Sequence, residues 1–422
     1  MLPILKLKEL TAQEHKKLLA RATPNEAKLK REVQKILTTI EQEGQPAVLK
    51  FTQQFDSPAL KVLTIPREKF PQVDLAKFKF LRKTVRNLEK FARVQLRNLK
   101  REPKVKTQAG VKIWREFRPL KRVGIYAPGG LASYPSSVLM QAVPARIAGV
   151  KEIILATPPK KDGKIPEIIW AAAHLVGVAK VWLCGGAQAI GALALLEKVD
   201  KITGPGNSWV TTAKTLLSQR VPIDFPAGPS EVLILADNKA KPKFIAADLL
   251  AQAEHGPGSP VVLVTISANL AAKVQQEITK QLQTLPRAQI ARQSLETAGV
   301  ILLANDLKQM VAFTNAYAPE HLEIMLENPA KILPQIQQAG SVFLGEFTPT
   351  AVGDFASGTN HVLPTAGYAR SYEALAVETF GKKMQVQMLS LSGLRKVRPV
   401  CEQFGLVEDL AGHARSVTLR LN

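Results

Sequence analysis

The sequence predicts an α/β protein of two doubly wound, incomplete Rossmann-like domains, with a helical N-terminal segment and a small helical C-terminal tail domain. Three observations predict it. From Val123 onward, short apolar runs of strand length alternate with helical stretches and glycine turns, the texture of parallel strands joined by helices. The alternation comes in two series, joined near Pro226-Ala227-Gly228-Pro229. And 422 residues are more than one ordinary core organises.

Residues 1–105 read as helices, with a helix start at Thr23-Pro24-Asn25-Glu26. Val33, Ile36, Leu37 and Ile40 then recur at the 3.6-residue period of a buried helical face. Strands are expected at 123–126, 153–156, 181–184 and 201–203, with helices at 136–148 and 166–175 between them. The second series places strands at 232–235, 261–264, 300–303, 322–325 and 341–344. Beyond Val377 the chain reads as a short, mostly helical tail. The expected division is therefore 1–23, an N-terminal helical segment; 24–122 together with 230–376, a first α/β domain; 123–229, a second; and 377–422, the tail.

Composition narrows the function classes. Apolar residues make up 46%, yet no run of about 18 uninterrupted apolar residues occurs, so no membrane span is expected. Lys6, Lys8 and Glu9 interrupt the N-terminus and leave no apolar stretch for a secretory signal. Two cysteines, Cys184 and Cys401, suit a reducing cytoplasm. The net charge of +22 is concentrated in residues 1–122, where 30 Lys and Arg stand against 12 Asp and Glu, leaving +4 for the rest. Those charges spread along amphipathic helices with no compact basic block and no aromatic interleaving. They read as a solvated face, with a nucleic-acid surface as the alternative.

Glycine turns follow three of the expected strands: Tyr126-Ala127-Pro128-Gly129-Gly130, Cys184-Gly185-Gly186-Ala187-Gln188, and Gly204-Pro205-Gly206-Asn207. In open α/β sheets ligands bind beyond the carboxyl ends of strands, and such turns let helix N-termini approach a phosphate. None fits Gly-x-Gly-x-x-Gly, and no acidic residue stands about 20 positions later. Either an atypical dinucleotide loop or simple tight turns are consistent with them.

Gln252 and His255 close an apolar helical run that Gly256-Pro257 stops. Three apart, they lie on one helical face and can share a cation through an oxygen and a nitrogen, as zinc accepts. A His that merely hydrogen-bonds a terminal carbonyl is the plainer reading. Asp354 and His361 sit in one polar loop, and His413 near the C-terminus. Gln252, His255, Asp354 and His413 together would offer two nitrogens and two oxygens. Glu320-His321, fixed by Pro319, pairs a carboxylate with an imidazole, two groups suited to proton transfer. His15 and His174 lie on helices and read as structural. A zinc hydrolase with Glu320 or Glu254 as base competes with a dehydrogenase at this point, as does Cys184 as a nucleophile.

Seven segments, in order, resemble the histidinol dehydrogenase family: Gly124-Ile125-Tyr126-Ala127-Pro128-Gly129-Gly130, Cys184 to Ile190, Ile202 to Asn207, Pro226 to Glu231, Ala251 to Pro257, Ala318 to Glu323, and Ser357 to Pro364. The resemblance runs from about residue 20 to the C-terminus. It implies a cytoplasmic, zinc-dependent, NAD-linked enzyme that oxidises L-histidinol to L-histidine through the aldehyde. By the resemblance the zinc ligands are Gln252, His255, Asp354 and His413. The substrate contacts are Ser230, Gln252, His255, His321, Asp354, Glu408 and His413. Glu320 and His321 are the proton acceptors; Tyr126, Gln188 and Asn207 contact NAD, which makes 123–229 the NAD-binding domain. The family is a homodimer whose tail reaches the partner's site, so Glu408 and His413 are expected to act in trans. No nucleic acid and no membrane is expected as a partner.

Overall fold

The computed structural model describes residues 2–21, 26–129, 133–226 and 228–421. Its strands are β1 (Ile4–Lys6), β2 (Thr64–Pro66), β3 (Val105–Gln108), β4 (Val111–Pro119), β5 (Arg122–Tyr126), β6 (Glu152–Thr157), β7 (Lys180–Leu183), β8 (Lys201–Thr203), β9 (Val232–Ala236), β10 (Val261–Thr265), β11 (Gly299–Leu303), β12 (His321–Met325), β13 (Ser341–Leu344) and β14 (Gly381–Leu389). A five-stranded sheet runs β2-β7-β6-β5-β8 and is parallel except for β2. A six-stranded sheet runs β1-β11-β10-β9-β12-β13 and is parallel throughout. The third, β14-β4-β3, is antiparallel.

The apolar runs explain the layering. On β9, Val232, Ile234 and Ala236 enter one core, while Leu233 and Leu235 enter another on the opposite face. Val261 and Leu263 of β10 likewise oppose Val262 and Val264. Side chains alternate along a strand, so an unbroken apolar run buries both faces, as a sheet covered by helices requires. Helices Pro242–Ala253, Ala268–Gln281 and Ala288–Ala298 cover one face, and Leu307–Tyr317 the other. The five-stranded sheet shares a single large core with the helices that flank it.

The strands of both expected series are present, and the expected helices differ from Pro135–Ala148, Glu167–Val176 and Pro242–Ala253 only at their ends. The grouping of segments differs. Val33, Ile36, Leu37 and Ile40 from helix Glu26–Glu43, and Leu81, Val85, Leu88 and Ala92 from helix Lys79–Lys100, join the core of the five-stranded sheet. The expectation had put 24–122 with 230–376. Periodicity tells which face of a helix is buried, not which sheet it meets. Only the extreme N-terminus joins the six-stranded sheet: β1 extends it beside β11, and Leu7 enters its core.

The segment read as wholly helical thus carries β1 and β2, and the tail carries β14, paired over nine residues with β4. The sheet of β3, β4 and β14 is largely exposed and rich in lysine and arginine, so its strands lack the apolar runs that mark the others. After β14, helices Leu391–Val407 and Ala411–Thr418 pack on each other. The expected helix start at Thr23-Pro24-Asn25 lies outside the described residues, as do Gly130 and Ala227.

Candidate active site

The polar cluster lies at the amino edge of the six-stranded sheet, not at the carboxyl edge where the general rule for α/β sheets looks. His321 opens β12 and stands opposite Val232, which opens β9, so Glu320 and Ser230-Glu231 are delivered side by side just ahead of two neighbouring strands. Glu320 is 5% exposed and His321 3%, which takes both out of water. Glu320 Oε2 accepts hydrogen bonds from Ser230 Oγ and the Glu231 backbone N–H, each at 2.7 Å. His321 Nδ1 lies 3.0 Å from the Glu231 carbonyl oxygen, which can only accept, so Nδ1 carries the proton. In the neutral imidazole this tautomer places the lone pair on Nε2, which faces Asp354 Oδ1 at 3.5 Å. Burial disfavours the imidazolium, but Glu320 and Asp354 together outweigh burial and raise the His321 pKa well above its ordinary value.

The helix Pro242–Ala253 brings Gln252 to the same edge. Asp248, one turn before Gln252, lies beside Glu323, which is two residues beyond His321. Four helical residues and two strand residues each advance about 6 Å, and the two elements run in opposite directions, so Gln252 reaches the level of His321. Gln252 is 3% exposed and its Nε2 has no hydrogen-bond partner. The helix ends at Ala253, and His255 stands in the following turn, exposed rather than on the helical face expected from its spacing. Asp354 closes helix Thr350–Phe355. Burial works against its charge, but the hydrogen bond from His321, followed by the fields of His321, His361 and His255, outweighs burial and holds its carboxyl below the usual range. His361 binds back to the same segment, Nδ1 to the Asp354 carbonyl at 3.0 Å, and its Nε2 lies 3.4 Å from Ser137 Oγ. Ser137 lies in the first turn of the helix that follows β5, so this contact ties that helix to the loop carrying His361.

Glu408 and His413 are not brought to this cluster. Both are exposed in the tail, at the end of helix Leu391–Val407 and on helix Ala411–Thr418. Among the described residues, no three His, Cys, Asp or Glu side chains form a metal-holding group. Gln252, His255 and Asp354 are nonetheless suited to a divalent cation: one buried amide whose Nε2 has no partner and whose oxygen can ligate, one imidazole and one carboxylate.

Tyr126, Gln188 and Asn207 occupy the carboxyl edge of the five-stranded sheet, after β5, β7 and β8. The Tyr126 hydroxyl accepts from the Gly186 N–H at 3.3 Å, and burial raises its pKa. Gln188 Nε2 donates to Asp56 Oδ2 at 3.0 Å, and the same oxygen accepts from the Gly185 N–H at 2.9 Å. Asn207 caps helix Ser208–Leu217, its Oδ1 accepting from Trp209 and Val210 N–H. Gly204 has φ +123°, and a Cβ there would collide with the Tyr126 carbonyl, so this turn requires glycine. Cys184 is fully buried and its thiol is pushed well above the ordinary range by burial and by Asp56, which disfavours a thiolate nucleophile. His15 stands edge-on to Phe313, and His174 bonds the Pro71 carbonyl and stands edge-on to Phe70, both structural.

Sequence reasoning missed Glu231, Arg21 and Asp56. Glu231 adjoins an expected substrate residue, which was a usable signal. Arg21 and Asp56 act on groups 210 and 129 positions away and gave none.

Comparison with known proteins gives the family. The family model described as histidinol dehydrogenase matches residues 19–421. The histidinol dehydrogenase of Bacteroides thetaiotaomicron is 44% identical over 414 residues, covering 96% of each chain. That of Methanothermobacter thermautotrophicus is 43% identical and covers 92% of each. The crystal structure of histidinol dehydrogenase from Elizabethkingia anophelis superposes with a TM-score of 0.93 at 38% identity, covering 100% of this chain and 98% of that one. With a family match across nearly its whole length and relatives this similar, the chain belongs to the histidinol dehydrogenase family.

Proposed function

We propose that the protein oxidises L-histidinol to L-histidine in histidine biosynthesis, by two successive hydride transfers with the aldehyde between them. The observation that carries this reading is the buried run Ser230–Glu320–His321–Asp354, which sets one imidazole between two carboxylates, Glu320 beside Nδ1 and Asp354 facing Nε2. In the first oxidation His321 Nε2 takes the alcohol proton as hydride leaves the carbinol carbon. Glu320, poised by Ser230 and the Glu231 N–H, then takes a proton from water as the oxygen adds to the aldehyde, while His321 returns its proton to the aldehyde oxygen, which gives the hydrate and restores the neutral imidazole. His321 serves again as the second hydride leaves the hydrate, so the substrate gives up two hydrides and gains one water oxygen. The two carboxylates stabilise the imidazolium formed when His321 takes a proton, and burial keeps the reactive aldehyde from bulk water.

Bound NAD would supply the hydride acceptor, one molecule for each oxidation. Tyr126, Gln188 and Asn207 would hold it, a reading supported by their place at the carboxyl edge of a parallel sheet. Bound zinc would fix the substrate by its imidazole and amine and so orient the carbinol carbon. Gln252, His255 and Asp354 would hold the metal, with His413 and Glu408 contributed by a second copy of the chain. Two facts support the second copy: both side chains are exposed in a tail domain, and that tail also exposes Phe404, Leu406 and Val407. The test is formation of NADH on mixing the protein with histidinol and NAD. Chelation should abolish it and zinc restore it; no NADH under any metal condition would overturn the proposal.

A further inference from the structure

Both members of the Glu320–His321 pair hang on one neighbour. Glu231 donates its N–H to Glu320 Oε2, accepts His321 Nδ1 on its carbonyl oxygen, and accepts the Glu320 N–H on carboxylate Oε1 at 3.3 Å. The Glu231 carboxylate is 1% exposed and is gripped by the fork of Arg21, Nε to Oε2 and Nη2 to Oε1, each at 2.9 Å. Arg21 also reaches the other side of the pair. Its Nη2 donates to the Tyr317 carbonyl at 2.6 Å, and its guanidinium lies 3.7 Å from the centre of the Tyr317 ring. Tyr317 ends the helix Leu307–Tyr317, and the chain then turns through Ala318, at a left-handed φ of +50°, and Pro319 into Glu320. A non-glycine residue in that conformation persists only where its surroundings hold it.

We propose that Arg21, acting through Glu231, is a positioning residue for catalysis: it locks the two segments that carry Glu320 and His321 and fixes the imidazole with Nδ1 protonated and Nε2 free. Arg21 touches neither reacting group. It holds Ser230-Glu231 ahead of β9 and Tyr317 ahead of β12 at once, and a bidentate guanidinium fork fixes an angle as well as a distance. Burial pushes the Glu231 carboxyl above its usual range, Arg21 opposes that push, and the Glu320 carboxylate adds to it. Without the arginine, Glu231 would protonate or turn away, and the backbone groups that aim the pair would move with it. Small misplacements of this kind lower turnover far more than affinity.

The inference rests on the reading of Glu320 and His321 as the proton-transfer pair, and the experiment separates the two. The metal-loaded enzyme is compared with Arg21→Lys, Glu231→Gln and their double variant, with Glu320→Gln and His321→Asn as controls. kcat and KM for histidinol are measured per competent site, counted by single-turnover NADH formation. Arg21→Lys and Glu231→Gln should each lower kcat by about tenfold or more with KM within about twofold. The double variant should be no worse than the poorer single, because the two side chains act as one unit. A kcat per site equal to wild type in Arg21→Lys, or multiplying losses in the double variant, would overturn the inference. If Glu231→Gln does not fold, Arg21→Lys decides alone. Wild-type turnover in Glu320→Gln and His321→Asn would instead overturn the underlying reading.

Discussion

His321 gains its character from three contacts: a carbonyl that fixes its tautomer, and carboxylates beside each ring nitrogen. Replacing it with Asn keeps a similar shape but removes the proton acceptor. His321→Asn is therefore expected to lower kcat by about 10²- to 10⁴-fold, while metal content measured by atomic absorption stays at the wild-type level. Loss of bound metal in that variant would make His321 a ligand rather than a base. Asp354 carries the opposite expectation. Asp354→Ala removes the carboxylate toward which the fields of His255, His321 and His361 converge, so zinc per chain should fall. Unchanged zinc would remove Asp354 from the ligand set. Glu320, His321 and Asp354 were legible as residue types in polar, punctuated stretches, and Gln252 and His255 at the stop of an apolar helical run. Which nitrogen of His321 holds the proton was not, because it depends on the carbonyl of a residue 90 positions away.

Between β12 and the helix Pro242–Ala253, the Asp248–Glu323 pair sets two carboxyls together in a partly dry seam. Burial pushes Asp248 up to about 6, with Glu323 opposing it, and burial together with Asp248 pushes Glu323 well above its ordinary value. In the unfolded chain Asp248 releases its proton near 3.8, so between roughly pH 4 and 6 the folded state binds more protons. The stability contributed by the protonated pair is full below that window and is lost as pH rises through it. Asp248→Asn should remove the penalty, so the chelated variant should gain about 1–2 kcal/mol over chelated wild type between pH 5 and pH 7.5. Thermal melts at both pH values check this, and a difference that does not change with pH would refute it. The seam also shows how periodicity misleads at element ends. Gln252 and His255 were spaced for one helical face, but the helix stops at Ala253 and His255 leaves that face.

The molecule as a whole sets the carboxyl edge of one parallel sheet and the amino edge of the other around the site, with Ser137 and His361 in contact between them. The tail is held to the body by β14 on β4, yet leaves Leu406 78% and Val407 82% exposed, more apolar surface than a free helix end usually offers. If a second copy supplies Glu408 and His413, subunits of His321→Asn mixed with subunits of His413→Ala should form hybrid dimers with one intact site. Random pairing then restores about a quarter of wild-type NADH formation from two inactive parents. No recovery after verified hybrid formation would mean the site is completed within one chain.

Apolar runs and their punctuation determined the α/β class, both strand series and the place of most helices, because burying two sheet faces imposes a local pattern on each strand. The sequence motifs likewise marked the chemistry-bearing loops, since Glu320-His321 and Gln252-Ala253-Glu254-His255 are each contiguous. Only the tertiary structure decided that the basic helices of residues 26–100 pack on the five-stranded sheet, that the cluster stands at amino rather than carboxyl strand ends, and that Arg21 and Asp56 reach the sites at all. The reason is physical. A periodic face records that a surface leaves water, whereas the identity of its partner is set by long-range packing that leaves no local trace in the chain.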